Sequence, residues 1–451
     1  MQTLDATPSP KKTWNDGRIE EFNEAVFSII EEIERSREGN GSAEVNLDGT
    51  VFPGQIDFTR YDSDRPLPNI SFVDTTFCDF SDFQGVVFSG SADFKESNFS
   101  ANARFNKTRF TGMAHFEDAK FRADVEFSGA VFFERATFEN ATFNYAEFNG
   151  TTFHGDADFE RFSISYQIMF SKADVRGSAD FSGTSGTTEE SERARSLYVK
   201  SATQDVPDEQ ARMIKQVAAI GDSKTFPSAL FDSVHFHGMC DFNNRQFLDR
   251  TSFNNTIFEY APKFHNTRLH QDTDFMGAKF RDVRSDDAAR NYRTLKLAME
   301  QVRARQEEAM FFALEQRSLR HRADTPRLAC WASWIYDWTS DYGQNFLRPV
   351  TRAAQLLAAS WLVYWIAFGY FAVPSGPPMG HAGDIFVFAL QQIFRPFELW
   401  TSRYAMLQGL SALGTGGIPF LVKLVATVQS LATFGLLTLF LLSLRKRFRM
   451  I

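Results

Sequence analysis

The chain has 451 residues, 43% of them apolar and 15% aromatic, with a formal net charge of −8. That length supports two or three domains, and so mild a charge excludes nucleic-acid binding driven by charge alone. The cysteines Cys78, Cys240 and Cys330 are far apart and form no C-x-x-C pair, which argues against a disulfide framework or zinc site and for a reducing compartment.

Residues 1–18 (MQTLDATPSPKKTWNDGR) are polar, lack the apolar core of a secretory signal and are expected to be disordered. Residues 19–44 begin IEEFNEAVFSIIEEIERS, in which Ile19, Phe22, Val26, Ile29, Ile30 and Ile33 recur at helical spacing. A repeat array follows, and its first member would expose apolar core and strand edges, so this helix is expected to cap it.

From Phe72 an apolar position recurs in alternating steps of five and six: Phe77, Phe83, Phe88, Phe94, Phe99, Phe105, Phe110, Phe116, Phe121, Phe127, Phe132 and Phe138. One residue is lost across Phe143, Phe148 and Phe153, and the alternation resumes through Phe159, Ile164, Phe170, Val175 and Phe181. A second block runs from Phe231 through Phe242, Phe253, Phe264, Leu269 and Phe275 to Phe280. Small residues such as Ala92, Ala103, Ala114, Ala136 and Ala157 stand two places before a Phe, and residues i−2 and i share a face only in extended chain. On a helix a step of five turns the chain by about 140°, which would scatter the rings. Leu47, Phe52 and Phe58 keep the same spacing ahead of the YDSDRPLPN loop, so a first coil is expected there.

The stretch ANARFNKTRFTGMAHFEDAKFRADVEF resembles the pentapeptide-repeat family in its five/six-spaced A-x-F form, and the resemblance extends over residues 45–283. It implies a right-handed quadrilateral β-helix in which each Phe and the small residue before it point inward. The implied core ladder includes Phe94, Phe105, Phe116, Phe127, Phe138, Phe253, Phe264 and Phe275. Phe suits a narrow interior where Tyr or Trp would bury a polar group needing a partner, and the chain has 49 Phe against 11 Tyr and 7 Trp. With four positions per coil, 31 register positions make about eight coils, roughly 35 to 40 Å of rod at one strand spacing each.

Residues 183–225 interrupt the alternation with a charged segment, in which two short helices are expected near 189–202 and 207–219. Such an insertion reads equally as a binding element or a tolerated loop. Over residues 285–322 the period becomes helical, and Ala288, Tyr292, Leu295, Met299, Val302, Gln306, Ala309 and Ala313 follow a four/three alternation. This amphipathic connector reads either as a coiled coil setting the oligomeric state or as a cap on the last coil.

After a juxtamembrane linker at 323–352, residues 353–373 carry no charge and suffice to cross a bilayer, as do the apolar residues within 418–444. Arg348 and Arg352 precede the first span, and the tail 445–451 begins RKRFR, which places both flanks in the cytoplasm. Between them, 385–397 starts with IFVFALQQIF, too short to cross and expected as a re-entrant helix. This order resembles the two-transmembrane, pore-loop module of the potassium-channel superfamily. The resemblance implies a homo-oligomer in a lipid bilayer, ions as cargo, and Gln391, Gln392, Arg395 and Glu398 as candidate pore-lining residues. It departs from that family at the filter: Arg395, Pro396, Phe397 and Glu398 stand where a carbonyl-lining run belongs, and LGTGG (Leu413 to Gly417) comes late. Potassium selectivity is therefore not expected. A ring of Arg395 would repel cations, whereas an Arg395–Glu398 pair would need no conduction.

No G-x-x-x-x-G-K-[ST], H-E-x-x-H or G-x-S-x-G is present, so no catalytic residue, cofactor or metal ligand is assigned. His235 and His237 flank Phe236 and read as solvated surface, with His265 and His270 completing no set. The reading is a non-enzymatic, multi-pass bacterial inner-membrane protein with cytoplasmic termini. Its solenoid senses or binds an unknown cytoplasmic protein and is coupled to an oligomeric channel-like module. One alternative is a membrane-tethered scaffold that does not conduct. Another is a DNA-mimicking, gyrase-binding rod, for which the 17 Asp and Glu against 10 Lys and Arg between Ile70 and Phe181 are only moderately acidic. Nucleic acid itself is not an expected partner.

Overall fold

The computed structural model describes residues 14–37, 44–183, 225–370, 382–393 and 418–450, and it divides into two compact units, Met1–Ser318 and Leu319–Ile451. The first unit is a four-sided β-solenoid. Strands mostly two residues long, such as Ala92–Asp93 and Arg109–Phe110, pair in parallel with the same position one coil away. One face is an eight-stranded ladder, and the bridge Asp241↔Lys263 extends it to nine levels among the described residues.

Along this ladder Ile70, Ala92, Ala114, Ala136, Ala157, Ala179 and Cys240 lie in register. The rings form columns beside these small residues. Phe94 stacks on Phe116 with centroids 4.9 Å apart and planes parallel, and Phe105 stacks on Phe127 at 4.8 Å. The ring spacing follows the backbone spacing of neighbouring strands, about 4.7 to 4.9 Å. Across the interior the columns meet edge to face, as Phe94 and Phe105 do at 5.6 Å and 87°, the arrangement that the ring quadrupoles favour. Phe94, Phe105, Phe116, Phe127, Phe138, Phe253, Phe264 and Phe275 are all buried.

The corners explain the five/six alternation. After Phe72, Phe94, Phe105 and Phe116 the chain makes a type II turn, in which Phe72 O accepts from Thr75 N at 3.1 Å and Asp74, the third residue, has positive φ. Gly85, Gly129 and Gly150 hold the same place. The intervening corners take one residue more. At one of these a Cβ on Gly177 would lie 2.4 Å from the carbonyl oxygen of Gly155, so successive coils approach too closely there for a side chain. The missing residue at Phe143–Phe148 is taken from such a corner. Strand Lys120–Glu126 runs on through it, and its neighbour Thr142–Glu147 does so with one residue fewer, shifting the register between Phe121 and Asp124.

Both ends are covered. Helix α1 (Asp16–Arg37) lays Phe22, Val26, Phe27 and Ile30 on the first coil, with Phe27 edge-on to Phe58 and Phe22 edge-on to Phe52. Arg60 and Arg65 reach back to Glu24 and Glu31 at 2.9 and 2.7 Å. The connector is two helices, α2 (Ala288–Gln301) and α3 (Arg305–Leu319), because Arg303 adopts a left-handed conformation that interrupts the helical backbone. The seam residues Ala288, Tyr292, Leu295 and Met299 are buried in the same core as the rings, and Phe311 meets Phe275 and Phe280 edge to face. In this chain that seam caps the last coil.

The second unit contains α4 (Arg327–Ser340), α5 (Leu347–Tyr370), α6 (Ala382–Gln391) and α7 (Ile418–Met450). Residues 323–352, read from sequence as a linker, thus hold a helix. The two helices expected near 189–202 and 207–219, residues 394–397 and the LGTGG stretch lie outside the described residues.

Candidate functional site

Three clusters concentrate polar chemistry. The first is on the solenoid surface. His235 and His237 stand either side of the inward Phe236 and so share the outward face of one strand. Asp174 is the register partner of His235 one coil earlier, and Glu259 lies one coil later, just past Ile257 and Phe258. The rings converge to 3.6 Å between centroids, and each Nε2 meets a carboxylate: His237 with Asp174 Oδ1 and His235 with Glu259 Oε1, both at 2.8 Å. Arg176 Nε donates to Asp174 Oδ2 at 3.0 Å and Arg281 to Glu259 at 2.7 Å. Burial pushes the Asp174 carboxyl up, but hydrogen bonds from Arg176 and His237 outweigh it and leave it below its usual range. The His235 hydrogen bond likewise holds Glu259 low. His265 and His270 are not part of this group and face Thr294 and Asp272 instead.

The second cluster lies in the coils that flank residues 184–224 in the sequence. Three residues after Phe116 and Phe138 stand the small Ala119 and Ala141, but the same slot after Phe159 holds Phe162 and after Phe242 holds Arg245. Arg245 is fully buried and donates to the carbonyls of Phe181 (2.5 Å), Phe162 (2.9 Å), Ser182 (3.0 Å) and Phe159 (3.3 Å). Its guanidinium lies 4.6 and 4.8 Å from the ring centres of Phe162 and Phe226. A planar five-donor cation thus stands where other coils carry a small residue and satisfies carbonyls there. Phe226, which falls outside both blocks read from sequence, restores the interrupted column by stacking on Phe247 at 4.9 Å.

The third cluster is inside the helical unit. Tyr364, Ala367, Ile385, Phe388, Ala389, Val422 and Ala426 form a core joining α5, α6 and α7. At its centre Tyr364 Oη donates to Gln429 Oε1 and Gln429 Nε2 donates to Ala389 O, both at 2.8 Å, while Ser430 Oγ donates to Ile393 O at 3.3 Å. The last carbonyls of a helix lack partners within it, and α7 supplies one to Ala389, while Gln392 N and Ile393 N supply Phe388 O and Leu390 O. Of the candidate pore residues, Gln391 is exposed and Gln392 is buried with its Nε2 bonded to Phe388 O at 3.3 Å. Arg395 and Glu398 lie outside the described residues.

Sequence reasoning missed Asp174 beside His237 because the insertion breaks the coil count that would place it there, and missed Glu259 beside His235 although the ordinary coil spacing separates the two. It also passed over Arg245 and over Gln429, the one amide in an apolar run, which was a legible signal.

A family model described as Pentapeptide repeats, of 9 copies, matches residues 72–120 and 116–161, so the chain carries pentapeptide repeats. No curated protein and no solved structure matches the chain.

Proposed function

We propose that the chain is a non-enzymatic, membrane-tethered binding protein, in which the helical unit sits in a lipid bilayer and the solenoid offers its outward faces to a cytoplasmic protein. The carrying observation is the apolar surface of α7. Leu421, Leu424, Val428, Leu431, Phe434 and Leu441 are 43 to 70% exposed along a helix whose segment Phe420–Arg445 is long and apolar enough to cross a membrane. Water disfavours so continuous an apolar surface, and hydrocarbon covers it. Helix α4 adds a second support: Leu328, Trp331, Trp334, Ile335 and Trp338 face outward, and Arg352 lies 4.4 Å over Trp338. Indole rings with neighbouring cations suit the headgroup boundary. Arg348, Arg352 and the RKRFR run favour a cytoplasmic placement of both termini in an inner membrane, with 353–373 as a further span.

The full chain is expected to float with liposomes, and brominated acyl chains are expected to quench its tryptophans, less so after Trp331→Ser, Trp334→Ser and Trp338→Ser together. A chain that stays dispersed without detergent and leaves the lipid fraction empty would end this reading.

A second reading, conduction by an oligomer, is favoured by the Tyr364–Gln429–Ala389 hydrogen bonds, since polar side chains among membrane helices commonly mark pathways. Gln391, Gln392, Arg395 and Glu398 remain its proposed lining. Ion flux from liposomes holding the full chain, lost on deleting residues 385–417 and altered by Gln429→Leu, is its expected result. Silence of the full chain under varied voltage leaves the tether alone.

A further inference from the structure

We infer that Asp174, His235 and His237 form a surface site for a late first-row divalent metal ion of the zinc type. Two imidazoles and one carboxylate offer ligand atoms within 4.8 Å of one another. Tetrahedral coordination at about 2.0 to 2.2 Å per bond needs ligand atoms about 3.3 to 3.6 Å apart, so small side-chain rotations close the set. Nothing in the backbone has to move, because the strand already presents His235 and His237 on one face and the coil spacing presents Asp174 beneath them.

The surroundings support a ligand set better than a pair of ordinary surface ion pairs. The two rings lie 3.6 Å apart on one outward face, so that a single ion can reach a nitrogen of each. Arg176 occupies Oδ2 of Asp174 and leaves Oδ1 turned towards His237, the one-oxygen presentation a zinc ligand uses. Arg176 is itself held near His154 Nδ1 at 3.2 Å, so the orienting group is also supported. Glu259, anchored by Arg281, lies against His235 and either orients that ring as a hydrogen-bond acceptor or supplies a fourth oxygen beside water. A ring that ligates through Nε2 stays neutral, its proton passing through solvent to Nδ1 so that the Nε2 lone pair faces the metal, whereas a ring that ligates through Nδ1 keeps its Nε2 proton on its carboxylate.

Nitrogen and oxygen donors select zinc, cobalt or nickel over magnesium and calcium. The site lies two coils from the last, on the same face as the ladder ending in Lys279–Phe280. A metal there would link two consecutive coils, one on each side of residues 184–224 in the sequence.

The test is titration of the purified, tag-free full chain with Zn2+ by calorimetry and with Co2+ by its visible absorption, Cys78 being replaced by Ser to remove an exposed thiol. A single saturable ion per chain is expected, with Co2+ bands of four-coordinate intensity. His237→Ala is expected to weaken binding about 10- to 100-fold, and Asp174→Asn to do so by a smaller factor. Protection of the buried Cys240 thiol from labelling reports that each variant keeps its coils. Absence of saturable binding overturns the inference. So does undiminished binding by a chain carrying both His235→Ala and His237→Ala. If that double variant loses Cys240 protection, undiminished binding by Asp174→Asn and Glu259→Gln combined, with Cys240 still protected, overturns it instead.

Discussion

Phe116→Ala is expected to destabilise the solenoid by about 3 to 5 kcal/mol. The ring lies between Phe94 and Phe138, 4.9 Å from each, and meets Phe105, Phe110 and Phe127 edge to face. Its neighbours cannot close the gap, because parallel ladders hold the coils at a set spacing and each ring is already stacked within its own column. The cavity therefore persists and adds to the lost transfer energy. Phe133→Ala is the internal comparison: that ring is 36% exposed on the outer surface against His154, and its loss should cost about 1 kcal/mol or less. Urea midpoints of the full chain followed by circular dichroism separate the two, and equal midpoints would show that Phe116 is not in the stack.

Arg245→Met is expected to cost roughly 3 to 6 kcal/mol, since it keeps much of the volume but leaves carbonyls of Phe159, Phe162, Phe181 and Ser182 without these donors in a buried place. Arg245→Lys should recover only part of this, because an ammonium cannot span the same carbonyls as a planar fork. Cys240 is the readout, being buried in the same coil with its thiol pushed well above the ordinary value by desolvation. Native chain should label at Cys78 and stay protected at Cys240, and the Met variant should label Cys240 about 100-fold faster or more. Unchanged protection would mean that the corner is held by other contacts.

The columns were legible because a solenoid writes its core as a period: every coil must place a ring at the same four points, so steps of five and six recur. The capping role of α1 was legible in the spacing of Phe22, Val26 and Ile30. The break between α2 and α3 was not, since Arg303 sits in a run of good helix formers and takes its left-handed turn where the pair folds over the last coil. Phe226 escaped notice because only one ring stands between the insertion and the resumed alternation.

What the sequence by itself determined is the set of properties that depend on near neighbours: repeat, inward face, helical period and the length of apolar runs. Asp174 beside His237, Arg245 on the carbonyl of Phe181 and Gln429 against the end of α6 were decided only by the tertiary structure. Their separations of 63, 64 and 40 residues along the chain carry no local signal. Such pairs meet because stacked coils and packed helices bring together residues whose spacing includes an insertion or a loop, and neither length leaves a trace in the pattern on either side.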